Sequence, residues 1–430
     1  MLNYLFFLIV AFVTIDFIFG TVLGWINRRA ARPELPPELN GIYDQEEYAR
    51  QQLYFKKNNA FAAGTRSFEY LLMMVMLFTG GFGLLDGFAY TVTPSPVLAA
   101  LFFFAVIYIG NDILTLPFAY YDTFVIEQKF GFNKMTPKLF FSDTLKGWLI
   151  SALLGGALIA GVYLLFQMWR EMFWFYAWIL ICGVSAFFMM FYSEWIVPLF
   201  NKQTPLAPGV LRDAIQKFAL RADFEISNIY VIDGSKRTTK ANAYFSGFGH
   251  KKRVVLYDTL IRELSTEEVV AVLAHEIGHY KYRHTLFNLG LSVMNSFVLL
   301  YVFSLLVDNE TLAEAMGGNF PTFELGLIAF TLLYSPVGLV TGIAMNTISR
   351  YNEFQADRFA AEYGMAAPLI AGLEKISVKA LSNLTPSPLY VFVYYSHPTL
   401  LQRIKRLQPY LIHKPAENEI AVTHLDSPKQ

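Results

Sequence analysis

The chain has 430 residues, of which 55% are hydrophobic, 17% aromatic and only 16% charged. Soluble domains carry roughly 25% charged residues, so this balance excludes an ordinary soluble globular protein and points to a membrane protein. Equal numbers of basic and acidic residues, 34 of each, give a formal net charge of +0, which argues against a nucleic-acid partner; the single cysteine, Cys182, permits no intrachain disulfide.

A bilayer core about 30 Å thick is crossed by roughly 20 apolar residues in a helix. The opening stretch "LNYLFFLIVAFVTIDFIFGTVLGWI" has no basic region before it and no small-residue cleavage site, so it reads as a retained span. Seven spans are expected, over approximately 2–26, 68–88, 97–121, 148–168, 172–197, 285–307 and 323–347. The first, third and fifth contain Asp16, Asn111 with Asp112, and Glu194. Polar groups at such depth face a bundle interior or a wet cavity, although Glu194, just ahead of Pro198, reads equally well as a span end. The Pro-rich "ARPELPPELNG" (31–41) is a short linker.

Loop charges give an orientation. The stretch 27–67 holds Arg28, Arg29, Arg32, Arg50, Lys56, Lys57 and Arg66, and 122–147 holds Lys129, Lys134, Lys138 and Lys146. The stretch 89–96 has no lysine or arginine, and 308–322 is acidic. Positive-inside bias then puts the N-terminus outside, with 198–284 and the chain after 347 in the cytoplasm. The tail carries no retrieval signal for the endoplasmic reticulum, which favours a plasma or bacterial inner membrane.

The expected organisation is an N-terminal five-span region, 1–200, and a region 201–430 that includes the last two spans. In the second, a helix at 208–221 precedes strand-like runs at 228–233, 242–248 and 253–258, separated by Gly- and Lys-containing turns. A motif helix follows, and a further helix carrying "NEFQADRFAAEYG" (352–364) begins after the seventh span. The last residues, 415–430, read as a solvated tail. The fold class is therefore an all-α multi-span membrane protein with a small cytoplasmic α+β region.

The chemistry sits in "STEEVVAVLAHEIGHY" (265–280). Ser265 and Glu268 have capping-box spacing, so a helix should start there. On it His275 and His279 fall one turn apart on one face, where both imidazoles can reach a single zinc ion. Glu276, one position round the helix, is placed to act on water as general base rather than on the metal. A third ligand is needed. Were the helix to continue, His284 would lie about 140° round from His279 and point away; Tyr282 and Thr285 break the metzincin pattern. Glu353 is the better candidate, with Asp357 one turn on, able to accept a hydrogen bond or donate a proton. The spacing alone leaves that pair open to a second reading, a solvated acidic face paired with Arg350 and Arg358.

"HEIGH" (275–279), "EFQAD" (353–357) and "YYDTFVIEQKFGFNKMTPKLFFSDTLKG" (120–147), together with "NAYFSGF" (242–248) and "SHPTLLQRI" (396–404), resemble the CAAX prenyl protease 1 family over nearly the whole chain. That resemblance implies an integral-membrane zinc metallopeptidase with one zinc ion, seven helices around a chamber, and protein substrates with prenylated C-termini presented from membrane lipid. It implies Glu353 as third ligand and Asp357 in the proton-donor place. It also implies "NAYF" as an edge strand holding the substrate at Asn242 and Ala243, with His397 and Arg403 near the metal, binding substrate. The polar Asp16, Asn111 and Asp112 would suit the chamber lining. A membrane quality-control protease acting on misfolded proteins is the alternative function, since it would share both short motifs. A site-2-type protease is disfavoured because "GLLDG" (83–87) precedes the zinc motif, and a receptor or transporter would need no general base beside the histidines.

Overall fold

The computed structural model describes residues 2–31, 35, 37–39, 41–226, 228–246 and 253–412. The expected tail at 415–430, much of the 31–41 linker and the end of the 242–248 run lie outside these residues. By contact the chain divides into two compact units that interleave in sequence, one of 1–29, 56–189 and 288–343, the other of 30–55, 190–287 and 344–430.

The helices in chain order begin with α1 (Tyr4–Ala30), α2 (Gln45–Phe78), α3 (Gly81–Val92) and α4 (Pro96–Tyr121), the last continuing as a wide turn over Asp122–Glu127. Then come α5 (Pro137–Ile150) and α6 (Gly156–Met168), joined through Ser151–Gly155, and α7 (Phe173–Trp195) with the short α8 (Val197–Phe200). Strand β1 (Gln203–Pro205) leads to α9 (Val210–Arg221), β2 (Asn228–Ile232), β3 (Ala243–Ser246) and β4 (Arg253–Tyr257). Helices α10 (Asp258–Glu263), α11 (Thr266–Lys281), α12 (His284–Leu306), α13 (Glu310–Ala315) and α14 (Phe323–Glu362) follow. The described chain closes with α15 (Ala366–Lys379), α16 (Pro388–Tyr394), α17 (Leu400–Leu407) and α18 (Pro409–Ile412).

Among the described residues, 7 helical stretches are long and apolar enough to cross a membrane: α1, α2, α4 with its extension, α5–α6, α7–α8, α12 and α14. Three differ from expectation; the fourth, expected at 148–168, begins already at Pro137. The expected second span, 68–88, is broken at Gly80, whose left-handed φ of 66° ends α2 and turns the chain into α3. The seventh span does not end near 347: α14 runs 40 residues without interruption, because "NTISRYNEF" offers neither a glycine nor a proline to stop it. The helix bearing Glu353 is thus the continuation of a spanning helix.

The four strands form one sheet in the order β1-β2-β4-β3, with β2 parallel to β4 and the outer pairs antiparallel. Short β1 escaped the sequence reading; Thr204 and Pro205 lack any alternation that would mark a strand. Ala243 and Phe245 of the edge strand β3 pack against the same core as α11. That core, built from Ile215, Phe218, Val254, Leu256, Leu273, Ala274 and Ile277 among others, holds α11 between the sheet and α9, α14 and α15. The other unit packs Phe6, Phe103, Leu325 and Ala329 in one cluster and Phe166, Phe173, Phe303 and Phe323 in another. Glu194, ambiguous in the sequence, pairs with Arg253 at 2.6 Å, and Asp112 accepts a hydrogen bond from the Trp148 indole at 2.5 Å.

Candidate metal centre

The capping box that opens α11 forms as its spacing predicts: the Ser265 hydroxyl accepts from the Glu268 backbone and the Glu268 carboxylate accepts from the Ser265 backbone. This fixes the start of the helix, and the period of 3.6 then places His275 and His279 on one face. Opposite them, α14 presents Glu353 and, one turn on, Asp357. The two helices approach closely at Gly278. A Cβ there would lie 2.9 Å from the Ala356 Cα and 3.1 Å from its carbonyl oxygen, so a glycine between the two histidines lets the backbones touch.

The result is a small triangle of donor atoms. His275 Nε2 and His279 Nε2 are 3.2 Å apart; Glu353 Oε2 stands 3.3 Å from the first and Oε1 3.2 Å from the second. Ligand atoms about 2.0–2.1 Å from a four-coordinate ion stand about 3.3 Å from one another, and each of these pairs is near that spacing, a different Glu353 oxygen facing each histidine. Glu353 Oε2 is buried, with Arg403 Nη1 3.7 Å away only as a longer ion pair. Among the described residues these three side chains alone group as a possible metal site.

Behind the triangle, His275 Nδ1 donates to Asp357 Oδ1 at 2.8 Å. Arg403, brought in by α17, grips both oxygens of the same carboxylate at 2.9 and 2.5 Å. Burial and the Arg403 charge push the His275 imidazolium down, but its hydrogen bonds to Asp357 and Glu353 outweigh them and its pKa rises to about 9. Burial likewise opposes the Arg403 cation, and Asp357, Glu353 and Glu276 more than offset it, so the Arg403 pKa is raised. The buried Asp357 accepts hydrogen bonds through both oxygens. Arg403 is half-buried and pairs with Asp357 on the far side of His275. His397 stays largely exposed, with Nε2 3.3 Å from Glu353 Oε1, on the open side. Glu276 is half-buried beside His275. Asn242 is exposed at the start of edge strand β3, its carbonyl accepting from the Tyr257 backbone.

His284 departs from the sequence reading. Helix α11 ends at Lys281, Arg283 takes a left-handed φ of 58°, and the chain turns back. His284 Nδ1 comes to 3.0 Å from His279 Nδ1, and His284 Nε2 lies 2.9 Å from Gln355 Oε1. His284 and Gln355 thus join the site behind His279. The sequence signal that hid them was the absence of a glycine at the helix end.

Two histidines and a glutamate on helices at the edge of spanning segments, with a carboxylate on the next helical position, define a membrane metallopeptidase. The chain matches a model described as CAAX prenyl protease N-terminal, five membrane helices, over residues 26–202, and the Peptidase family M48 model over residues 205–410. It is 36% identical to the CAAX prenyl protease 1 homolog of Oryza sativa over 93% of this chain and 96% of that protein, and 31% identical to the human homolog, covering 91% and 93%. The crystal structure of S. mikatae Ste24p superposes with a TM-score of 0.90 at 31% identity, covering 95% of this chain and 100% of that one. The chain belongs to the CAAX prenyl protease 1 family of M48 metallopeptidases, whose members act with a metal on protein or peptide substrates.

Proposed function

We propose that this protein is a zinc endopeptidase that cleaves near the C-terminus of prenylated, CAAX-type proteins at the cytoplasmic face of the membrane. The observation that carries the zinc site is the triangle of inward-facing His275 Nε2, His279 Nε2 and Glu353 oxygens at 3.2–3.3 Å. The two histidines with a carboxylate suit zinc, whose catalytic sites take three such ligands and keep one position open. Zinc held there would polarise the scissile carbonyl and lower the pKa of water toward about 7.

The chain's own residues supply the rest. Glu276 takes the proton of the attacking water and passes it to the leaving amine. Asp357 orients His275, and Arg403 holds Asp357 in its ionised form. His397, on the open side of Glu353, contacts the substrate near the reacting carbonyl. Edge strand β3 leaves one side of its backbone unpaired among the described residues, so the substrate adds there as an antiparallel strand beside Asn242 and Ala243. The basic stretches 27–67 and 122–147, the first largely the N-terminal half of α2, support an N-terminus outside and a C-terminus in the cytoplasm, the side where a lipidated C-terminus presents its peptide bond. The relatives named as prenyl proteases support the substrate class.

The test is release of the last three residues from a peptide ending in a farnesylated cysteine plus three, beside its unlipidated twin, by purified zinc-loaded protein. Lipid-dependent release is expected. Equal cleavage of both, or cleavage only of unfolded proteins, would replace this substrate class with quality-control proteolysis.

A further inference from the structure

We propose that His284 and Gln355 form a positioning relay that sets the tautomer and angle of His279, as Asp357 does for His275. It rests on the reading of His275, His279 and Glu353 as metal ligands. The two histidines need the same thing: a lone pair on Nε2 facing the triangle, hence a proton on Nδ1. For His275 the acceptor is a carboxylate. For His279, among the described residues, the group at Nδ1 is not a carboxylate but another imidazole.

The hydrogen-bond directions follow from the far end. Gln355 Oε1 can only accept, so His284 Nε2, 2.9 Å away, carries the proton. The amide's other end, Nε2, faces the Tyr351 hydroxyl at 3.5 Å. A neutral imidazole protonated on Nε2 has its lone pair on Nδ1. His284 Nδ1 therefore accepts, and His279 Nδ1, 3.0 Å away, must donate. His279 Nε2 is then left bare, 3.2 Å from Glu353 Oε1.

The backbone is bent to make this contact. Arg283 is one of only three non-glycine residues at positive φ among the described residues, a strained conformation that persists where surroundings impose it. It returns His284 to His279 at the first residue of α12, where the ring is buried at 5% exposure. A continued helix would carry His284 away. The strain thus falls at the one residue that decides whether the relay exists.

The test measures metal affinity by chelator competition, and the visible spectrum of the cobalt-substituted protein, for wild type and four variants. Outer partners of metal-bound histidines are worth about 10–100-fold in affinity. His284→Ala and Gln355→Leu should each weaken binding by about that factor and alter the cobalt spectrum. His284→Asn keeps an acceptor at the place of Nδ1 and should recover most of the loss. Gln355→Glu, able only to accept, should bind as wild type. Melting temperatures separate these effects from misfolding, because a merely structural role would lower stability without the pattern of rescue. Wild-type affinity and spectrum in His284→Ala, or a loss in Gln355→Glu as large as in Gln355→Leu, overturns the relay. A wild type that binds no metal overturns the site itself, and the relay with it.

Discussion

Gly278→Ala probes how tightly the packing of two helices fixes the site. The added Cβ would stand 2.9 Å from the Ala356 Cα, 3.0 Å from the Phe359 Cβ and 3.1 Å from the Ala356 carbonyl oxygen, where ordinary contact begins at 3.4 Å. The nearest atom is backbone, so α11 and α14 must separate by about 0.5–1 Å, at a cost of about 1–3 kcal/mol. His275 and His279 ride on one of these helices and Glu353 on the other. Opening the gap stretches both histidine–glutamate edges of the triangle, now 3.3 and 3.2 Å, while the histidine–histidine edge stays as it is. Metal sites tolerate ligand displacements of about ±0.2 Å, so one methyl group should lower metal affinity about tenfold or more, comparable with losing an outer partner. Chelator competition and thermal melting of the same preparations measure the two effects. Wild-type affinity and melting in Gly278→Ala would refute the claim that this contact sets the ligand spacing.

Arg403→Ala should cost about 3–5 kcal/mol, because it strands the Asp357 carboxylate, 1% exposed, without its cation; denaturant titration or thermal melting would show it. Lys375 pairs with Glu268 at 2.6 Å at the start of α11. Burial would raise the Glu268 pKa, but the Lys375 bond and the Ser265 backbone overcome it, and the folded pKa lies below 4.5. A lowered folded pKa contributes stability that is full above the unfolded value and fades as pH falls through the folded one. Lys375→Met should therefore cost about 1 kcal/mol at pH 7, with the difference closing below pH 4.5; a constant difference would contradict it. Arg283→Gly should raise stability by about 0.5–1 kcal/mol, since only glycine takes the left-handed cap freely, and melting curves test it.

The spans and the motif helix were legible because their signals are local: long apolar runs, a Ser265–Glu268 capping box, and histidines at helical spacing. Glu353 and Asp357 were less so. His275 and Asp357 are 82 residues apart, and nothing in "EFQAD" by itself separates a ligand from a solvated carboxylate; the family resemblance supplied that link. The same stretch was expected on its own helix, yet α14 carries it straight out of the seventh span, since no residue there favours a break. Helix ends marked by unusual residues were the hardest to see. Gly80 breaks the expected second span inside an apolar run, and Arg283 performs a turn that glycine normally makes. Because of that turn His284 meets His279 instead of pointing away, and Arg403, open between surface and site in the sequence, pairs half-buried with Asp357.

The most direct test of the central assignment sets zinc content beside turnover in Glu276→Gln. Glu276 lies on the helical position next to His275 and outside the three-residue candidate ligand group, so the account predicts one zinc per chain in wild type and variant alike, and no tripeptide released by the variant from the farnesylated substrate. Continued turnover in Glu276→Gln, or loss of its zinc, would contradict the division of labour between ligands and base.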